Sequence, residues 1–374
     1  MRFVLALLGC LVACTASASR APAASGSDFA VVSSPHIAGG VLESVSATGP
    51  ANAWAVGYVR TAGGYAALAE HWNGSAWSRA KLPALGAARL SGVDAVSPVL
   101  AWAVGVQYGP LFEHTLVLRW NGKVWAKVAG FDQQKESGLT SVGALDAAHA
   151  WTGGYLGQSL YESDVWTGSV WKSVSQAWTH RSQGSEIDGI YAASRSAVWE
   201  VGSSAGPGAG AMESTPYALR FNGARWMQTT LPSGGFSAVP RAVSGLGATS
   251  VWAAGYVQPT AAGSRLANQP AIWHSNGASW TYSRPFATYS TSHSLAGIAA
   301  VGSANVWAVG LRMTTAGERT LIVHWDGSRW SDLGGPDVGS GDNDLNGVSR
   351  VPGSATQVWA VGEASGSPLI VHHA

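Results

Sequence analysis

The stretch AWAVGVQYGPLFEHTLVLRWNGKVW, residues 101 to 125, contains two phrases that the rest of the chain repeats. The first, AWAVG, returns as AWAVG from 53, AWTGG from 150, VWEVG from 198, VWAAG from 251, VWAVG from 306 and VWAVG from 358. These seven copies stand 48 to 55 residues apart. The second, WNGKVW from 120, has counterparts in WNGSAW (72), WTGSVW (166), FNGARW (221), SNGASW (275) and WDGSRW (325). A period near 50 built of short apolar runs and turn residues is the pattern of a propeller blade.

Within one copy, LSGVDAV reads as a first strand, AWAVGV as a second, TLVLRW as a third and VWAKV as a fourth. Hairpins join them. Asn-Gly and Asp-Gly suit the type I′ turn, so these turns are expected to take that form. The predicted fold is all-β: a seven-bladed β-propeller of four-stranded antiparallel blades. The seventh copy ends in LIVHHA at Ala374, before any fourth strand, whereas GSDFAVVSSP at 26 to 35 resembles GSAWSRAKLP at 74 to 83. The N-terminal strand is therefore expected to complete the last blade, with Phe29 in the place of Trp77, and so to close the ring and remove its free edges.

Ahead of the repeats, MRFVLALLGCLVACTASASR has Arg2, an apolar run and then small residues, the layout of an export signal and too short for a membrane span. Cleavage after Ala18 would release the protein. Alternatively, Leu11-Val12-Ala13-Cys14 resembles a bacterial lipobox, which would lipidate Cys14. The expected organisation is an export signal over 1–18 (or a lipobox ending at Cys14), a flexible tether over 19–25 and the propeller over 26–374. No other segment is apolar enough for a transmembrane span, and the location implied is extracellular, secreted or lipid-anchored at the cell surface. Both cysteines, Cys10 and Cys14, lie in the leader, which leaves the body without disulfides. With 22 basic and 21 acidic residues in 374, the charge is close to balanced, which argues against nucleic acid as a partner. A monomer is expected of a closed ring.

The VWAVG…HWNGxxW repeat resembles that of exported bacterial β-propeller proteins, over residues 26 to 373. More distantly, its GxxW ending is similar to the kelch-type and Asp-box repeats of galactose oxidases and sialidases. The Asp-box serine and aspartate are absent, and a body without cysteine cannot make the tyrosine–cysteine cross-link of galactose oxidase. The resemblance implies fold rather than activity.

Of 19 tryptophans, 17 fall on repeat positions and are expected to pack blade against blade, each indole nitrogen meeting a carbonyl of the next blade. His71 and His324 recur as HW and read as packing residues too. The first-to-second hairpin keeps one length in six copies and the third-to-fourth hairpin is constant, so the opposite face, carrying the variable connections, is where a ligand is expected. Trp273 is displaced by two residues within the third strand and reads as a packing swap. Trp178 has no repeat slot, and with His180, Arg181 and Glu186 it forms the candidate ligand-binding group, an aromatic face with a cation and a carboxylate for a glycan or an extracellular protein. Asp337, Asp342, Asn343 and Asp344 place oxygen donors in one Gly-rich loop, a set calcium would take, although the spacing is not that of an EF-hand and a solvated turn needs the same residues. No other cofactor is implied. Three functions follow: a non-catalytic binding propeller, which is favoured; a carbohydrate-active enzyme using acids near the channel, among them Asp132, Glu136, Glu186, Asp188, Glu213 and Glu318; and a structural surface protein.

Overall fold

The computed structural model describes residues 28–129, 136–157, 160–173, 185–205, 214–261, 264–265, 267–286 and 290–374. Seven antiparallel sheets of four strands each stand in a ring. The second blade shows the pattern, with Ala88–Ser97, Leu100–Tyr108, Glu113–Trp120 and Trp125–Lys127 paired in chain order. The last blade is assembled from both ends of the chain: Phe29–Val31 pairs with Ser367–His373, Phe29 opposite His373 and Val31 opposite Val371. Arg60 clasps the same junction, donating to both oxygens of Glu363 at 2.9 Å from the first blade to the seventh. No helix among the described residues is long and apolar enough to cross a membrane.

The repeated tryptophans do pack between blades. Trp54 sits against Trp120 and Trp125 of the next blade at 4.9 Å, and Trp359 meets Trp72 and Trp77 of the first blade at 5.1 and 5.3 Å. Phe29 takes the equivalent place, edge-on to Trp307 at 5.1 Å. Trp273 is fully buried in the third strand of its blade, as a packing swap requires. On the other side of most second-strand indoles lies a residue of the adjacent third strand: His71 over Trp54, Arg119 over Trp102, Arg220 over Trp199, His274 over Trp252, His324 over Trp307 and His372 over Trp359. These histidines and arginines are therefore part of the stacking.

Two expectations need correction. Trp72, Trp120, Trp166 and Trp325 donate to carbonyls of their own blade's first hairpin, at Pro50, Pro98, Ala147 and Ser303, not to the next blade. The buried indole nitrogens of Trp54, Trp102, Trp199, Trp252, Trp307 and Trp359 find no acceptor among the described residues. The Asn-Gly turns are also not type I′. Among the described residues only Ser365 has positive φ apart from glycine, so the asparagines do not take the left-handed conformation that a type I′ turn requires. Asn121 instead accepts from the N–H groups of Lys123 and Val124 at 3.0 and 2.9 Å, while Gly122 takes φ 89°. Asn73, Asn222, Asn276 and Asp326 cap their turns in the same way.

Several core positions carry polar side chains, among them Glu70, Thr152 and Asp164 as well as Glu200. Glu200 replaces the alanine of the repeat, is fully buried and accepts from Ser163 Oγ of the preceding blade at 2.7 Å. Burial pushes its carboxyl up from 4.5 to about 8. The folded chain thus keeps a proton that the unfolded chain releases above pH 4.5, so rising pH favours unfolding across that window. Between pH 5 and pH 8, Glu200→Gln should lose about 3 kcal/mol less stability than the parent. Denaturant melts at both pH values check this, and parallel losses would show that the carboxyl is already ionised in the fold.

Candidate functional site: the charged mouth of the central channel

The site begins with a backbone irregularity that every blade shares. In the first strand, the phrase Leu-x-Gly-Val and its variants carries one extra residue, x, bulging between two paired neighbours. The glycine ending VWAVG faces this bulge, and a Cβ on Gly105 would collide with the Arg89 carbonyl oxygen and stand 2.8 Å from Leu90 Cα. Equivalent collisions meet Gly57, Gly154, Gly202, Gly255, Gly310 and Gly362. The scaffold glycine and the bulge are thus one device, of the kind that redirects a side chain.

What the bulge redirects is the variable residue. Glu43, Ser91, Thr140, Asp188, Arg241, Ala296 and Asn346, one per blade, all line a central channel of about 600 Å³. Thr140 donates to the carbonyls of Gly153 and Ile187, and Asn346 donates to the Leu42 carbonyl at 3.2 Å, tying adjacent blades together. Arg241 pairs with Asp188 at 3.5 Å. Asp188 is 8% exposed at its side chain, and burial, reinforced by Glu186, pushes its carboxyl up to about 8. One step nearer the variable face, Arg89 and Glu186 line the same channel. Burial raises both Glu43 and Glu186, against the attraction of Arg89 and Arg241.

Aromatic residues extend this mouth onto the variable face. Tyr155 lies over Gly138, where any Cβ would strike its ring, and its hydroxyl donates to Glu113. Tyr58, Tyr65 and Tyr108 form a row with ring centres 5.1 and 5.5 Å apart. Beyond it the second-blade hairpin exposes Leu111 and Phe112. Toward the opposite end of the channel, Asp94 accepts from the Ala144 N–H at 2.7 Å and from Ser46 Oγ at 3.3 Å, and its task there is joining blades.

The residues expected from sequence are placed unevenly. Trp178, His180 and Arg181 lie outside the described residues, as do Cys14, Asp132 and Glu213. Glu186 is on the channel wall beside Asp188. The proposed calcium donors are divided among other tasks. Asp337 accepts from the Thr320 N–H and hydroxyl, Asp342 from the Glu318 N–H, Asn343 from the Val338 N–H and Asp344 from the Glu363 N–H. Among the described residues no three acidic, histidine or cysteine side chains converge as a metal-holding group. The sequence reading missed Glu43, Arg89 and Arg241. For Glu43 and Arg241 the signal was present as one varying position inside an otherwise repeated first-strand phrase; Arg89 stands two residues before that position.

No family model and no curated protein matches this sequence. Solved structures do match in shape. A structure described as YCF48 bound to D1 peptide is 14% identical with a TM-score of 0.58, covering 92% of this chain and 96% of that one. A polysaccharide lyase of family 25, an ulvan lyase bound to its sugar, is 12% identical with a TM-score of 0.53 over 89% and 94% of the two chains. The family 93 α-L-arabinofuranosidase of Fusarium graminearum, in complex with arabinobiose, is 12% identical with a TM-score of 0.50 over 78% and 95%. One scaffold serving a peptide binder, a lyase and a hydrolase separates fold from function, and what the chain shares with all three is the β-propeller fold.

Proposed function

We propose that this protein is a non-catalytic exported β-propeller that binds an extracellular protein segment at the variable-face mouth of its channel. The observation that carries this reading is the ring of bulge residues, in which a repeated backbone presents a different side chain from each blade. A rigid frame with diverse, inward-aimed groups suits recognition of one asymmetric ligand rather than seven identical sites. The tyrosine row beside the mouth adds amphipathic contact area of the kind peptide ligands use. The structure described as bound to a peptide supports the same reading. Export rests on the leader over residues 1–18.

The glycosidase reading is weaker. Glycoside hydrolysis needs two carboxyl groups on either side of the bond; Glu186 and Asp188 stand on one strand with Asp188 held by Arg241, which leaves Glu43, from the first blade, as the partner Glu186 would need. Peptide and glycan arrays, run beside hydrolase and lyase substrate panels, test the choice. Binding to peptides is expected, without turnover, and Arg89→Ala should weaken it at least tenfold, about 1.4 kcal/mol. Turnover of a polysaccharide without peptide binding would replace this reading with the enzymatic one.

A further inference from the structure

The charged groups at the channel mouth differ in whether they have partners. Asp188 is paired with Arg241 at 3.5 Å, and Glu363 with Arg60 at 2.9 Å. Glu113 accepts from Tyr155, and Asp344 accepts from the Glu363 N–H at 3.0 Å. Three groups are left. Glu43, Arg89 and Glu186 line the channel half-buried, and among the described residues no hydrogen bond or ion pair engages any of their charged ends. They belong to the first, second and fourth blades, and Arg89 attracts both carboxyl groups without forming an ion pair with either. Partly desolvated charges without partners are unfavourable until something supplies the missing contacts.

Among these three groups two carboxyl groups face one guanidinium, so acidic groups outnumber the basic one. We infer that the channel mouth accepts the positively charged side chain of a lysine or arginine on the bound protein, facing Glu43 and Glu186, while Arg89 donates to a carbonyl of the ligand backbone. This rests on the peptide-binding reading above. A free metal ion fits less well, since no three ligating side chains converge among the described residues. A small amine would leave Arg89 without an acceptor and the row of Tyr58, Tyr65 and Tyr108 uncovered. That row adjoins the charges, because Tyr58 lies in the field of Glu43 and Tyr108 in that of Arg89. A chain carrying one basic residue with ordinary neighbours satisfies both.

The test uses the full protein and three dodecapeptides on one Gly-Ser-Tyr background, with lysine, norleucine or glutamate at the centre, read by fluorescence anisotropy. The lysine peptide should bind at least tenfold more tightly than the norleucine peptide. Glu43→Gln and Glu186→Gln should each erase most of that preference at a thermal midpoint no lower than the parent's, and Glu186→Lys should turn the preference toward the glutamate peptide. Equal binding of all three peptides, or a preference for glutamate in the parent, would overturn the cationic ligand while leaving peptide binding intact. A lysine preference that survives both glutamine variants would place the charge elsewhere and overturn the inference as well. Failure of every peptide would remove the inference together with the reading beneath it.

Discussion

Removal of residues 1–34 should leave a chain that aggregates rather than folds, because the seventh blade then keeps only three strands. The physical loss has two parts. Phe29, 6% exposed, leaves the interface where it contacts Trp307 and His373, both at 5.1 Å, and that substitution to alanine alone should cost about 3 kcal/mol. The ladder from Phe29 to Val31, extended by the Val32 N–H to the Ile370 carbonyl at 2.9 Å, is lost too, and it uncovers the edge of Ser367–His373. An exposed edge recruits other strands. A synthetic peptide of residues 26–36 added during refolding should therefore restore soluble protein, since strand addition supplies the same hydrogen bonds. A truncated protein that stays monomeric with the parent's thermal midpoint would show that ring closure contributes little.

Like alanine at the equivalent glycine of any other blade, Gly105→Ala should be strongly damaging. Its Cβ meets backbone on the neighbouring strand, at the Arg89 carbonyl and at Leu90 Cα, so no side-chain rotation relieves it. Overpacking of this kind costs about 3 kcal/mol. The strand can escape only by flattening the bulge, which would turn Ser91 out of the channel wall and disturb Arg89. Loss of peptide binding should therefore accompany loss of stability. Gly63→Ala is the control, since nothing lies within 4 Å of its would-be Cβ, and it should change stability by less than about 0.5 kcal/mol. Comparable melting curves for the two variants would refute the link between the glycine and the bulge.

Much of the architecture was legible because repetition exposes it. Trp54, Trp102 and Trp359 recur at one position, and an aromatic repeated at a fixed period fills an interface between repeats. The site was harder to read, and Ser91 shows why. Strict alternation assigns side chains to two faces, but an extra residue breaks the alternation and aims its side chain where neither face predicts. The pairing of Asp188 with Arg241, one blade and 53 positions apart, has no local signature either. Trp178 stands out of register, which marks an unusual residue, whereas Glu43 and Arg241 stand at a varying position inside a repeated phrase, which is a different signal.

The sequence by itself determined the number of blades, the strand order within each and the closure of the ring by Phe29, because these follow from local periodicity and from matching one incomplete repeat with its missing piece. The tertiary structure alone decided the form of the turns, where Asn121 caps backbone N–H groups without taking the left-handed conformation, and the gathering of Glu43, Arg89 and Glu186 at one opening. Those side chains come from different blades, and their distances are set by the circumference of the ring and by bulges that glycines permit, quantities that no single repeat contains.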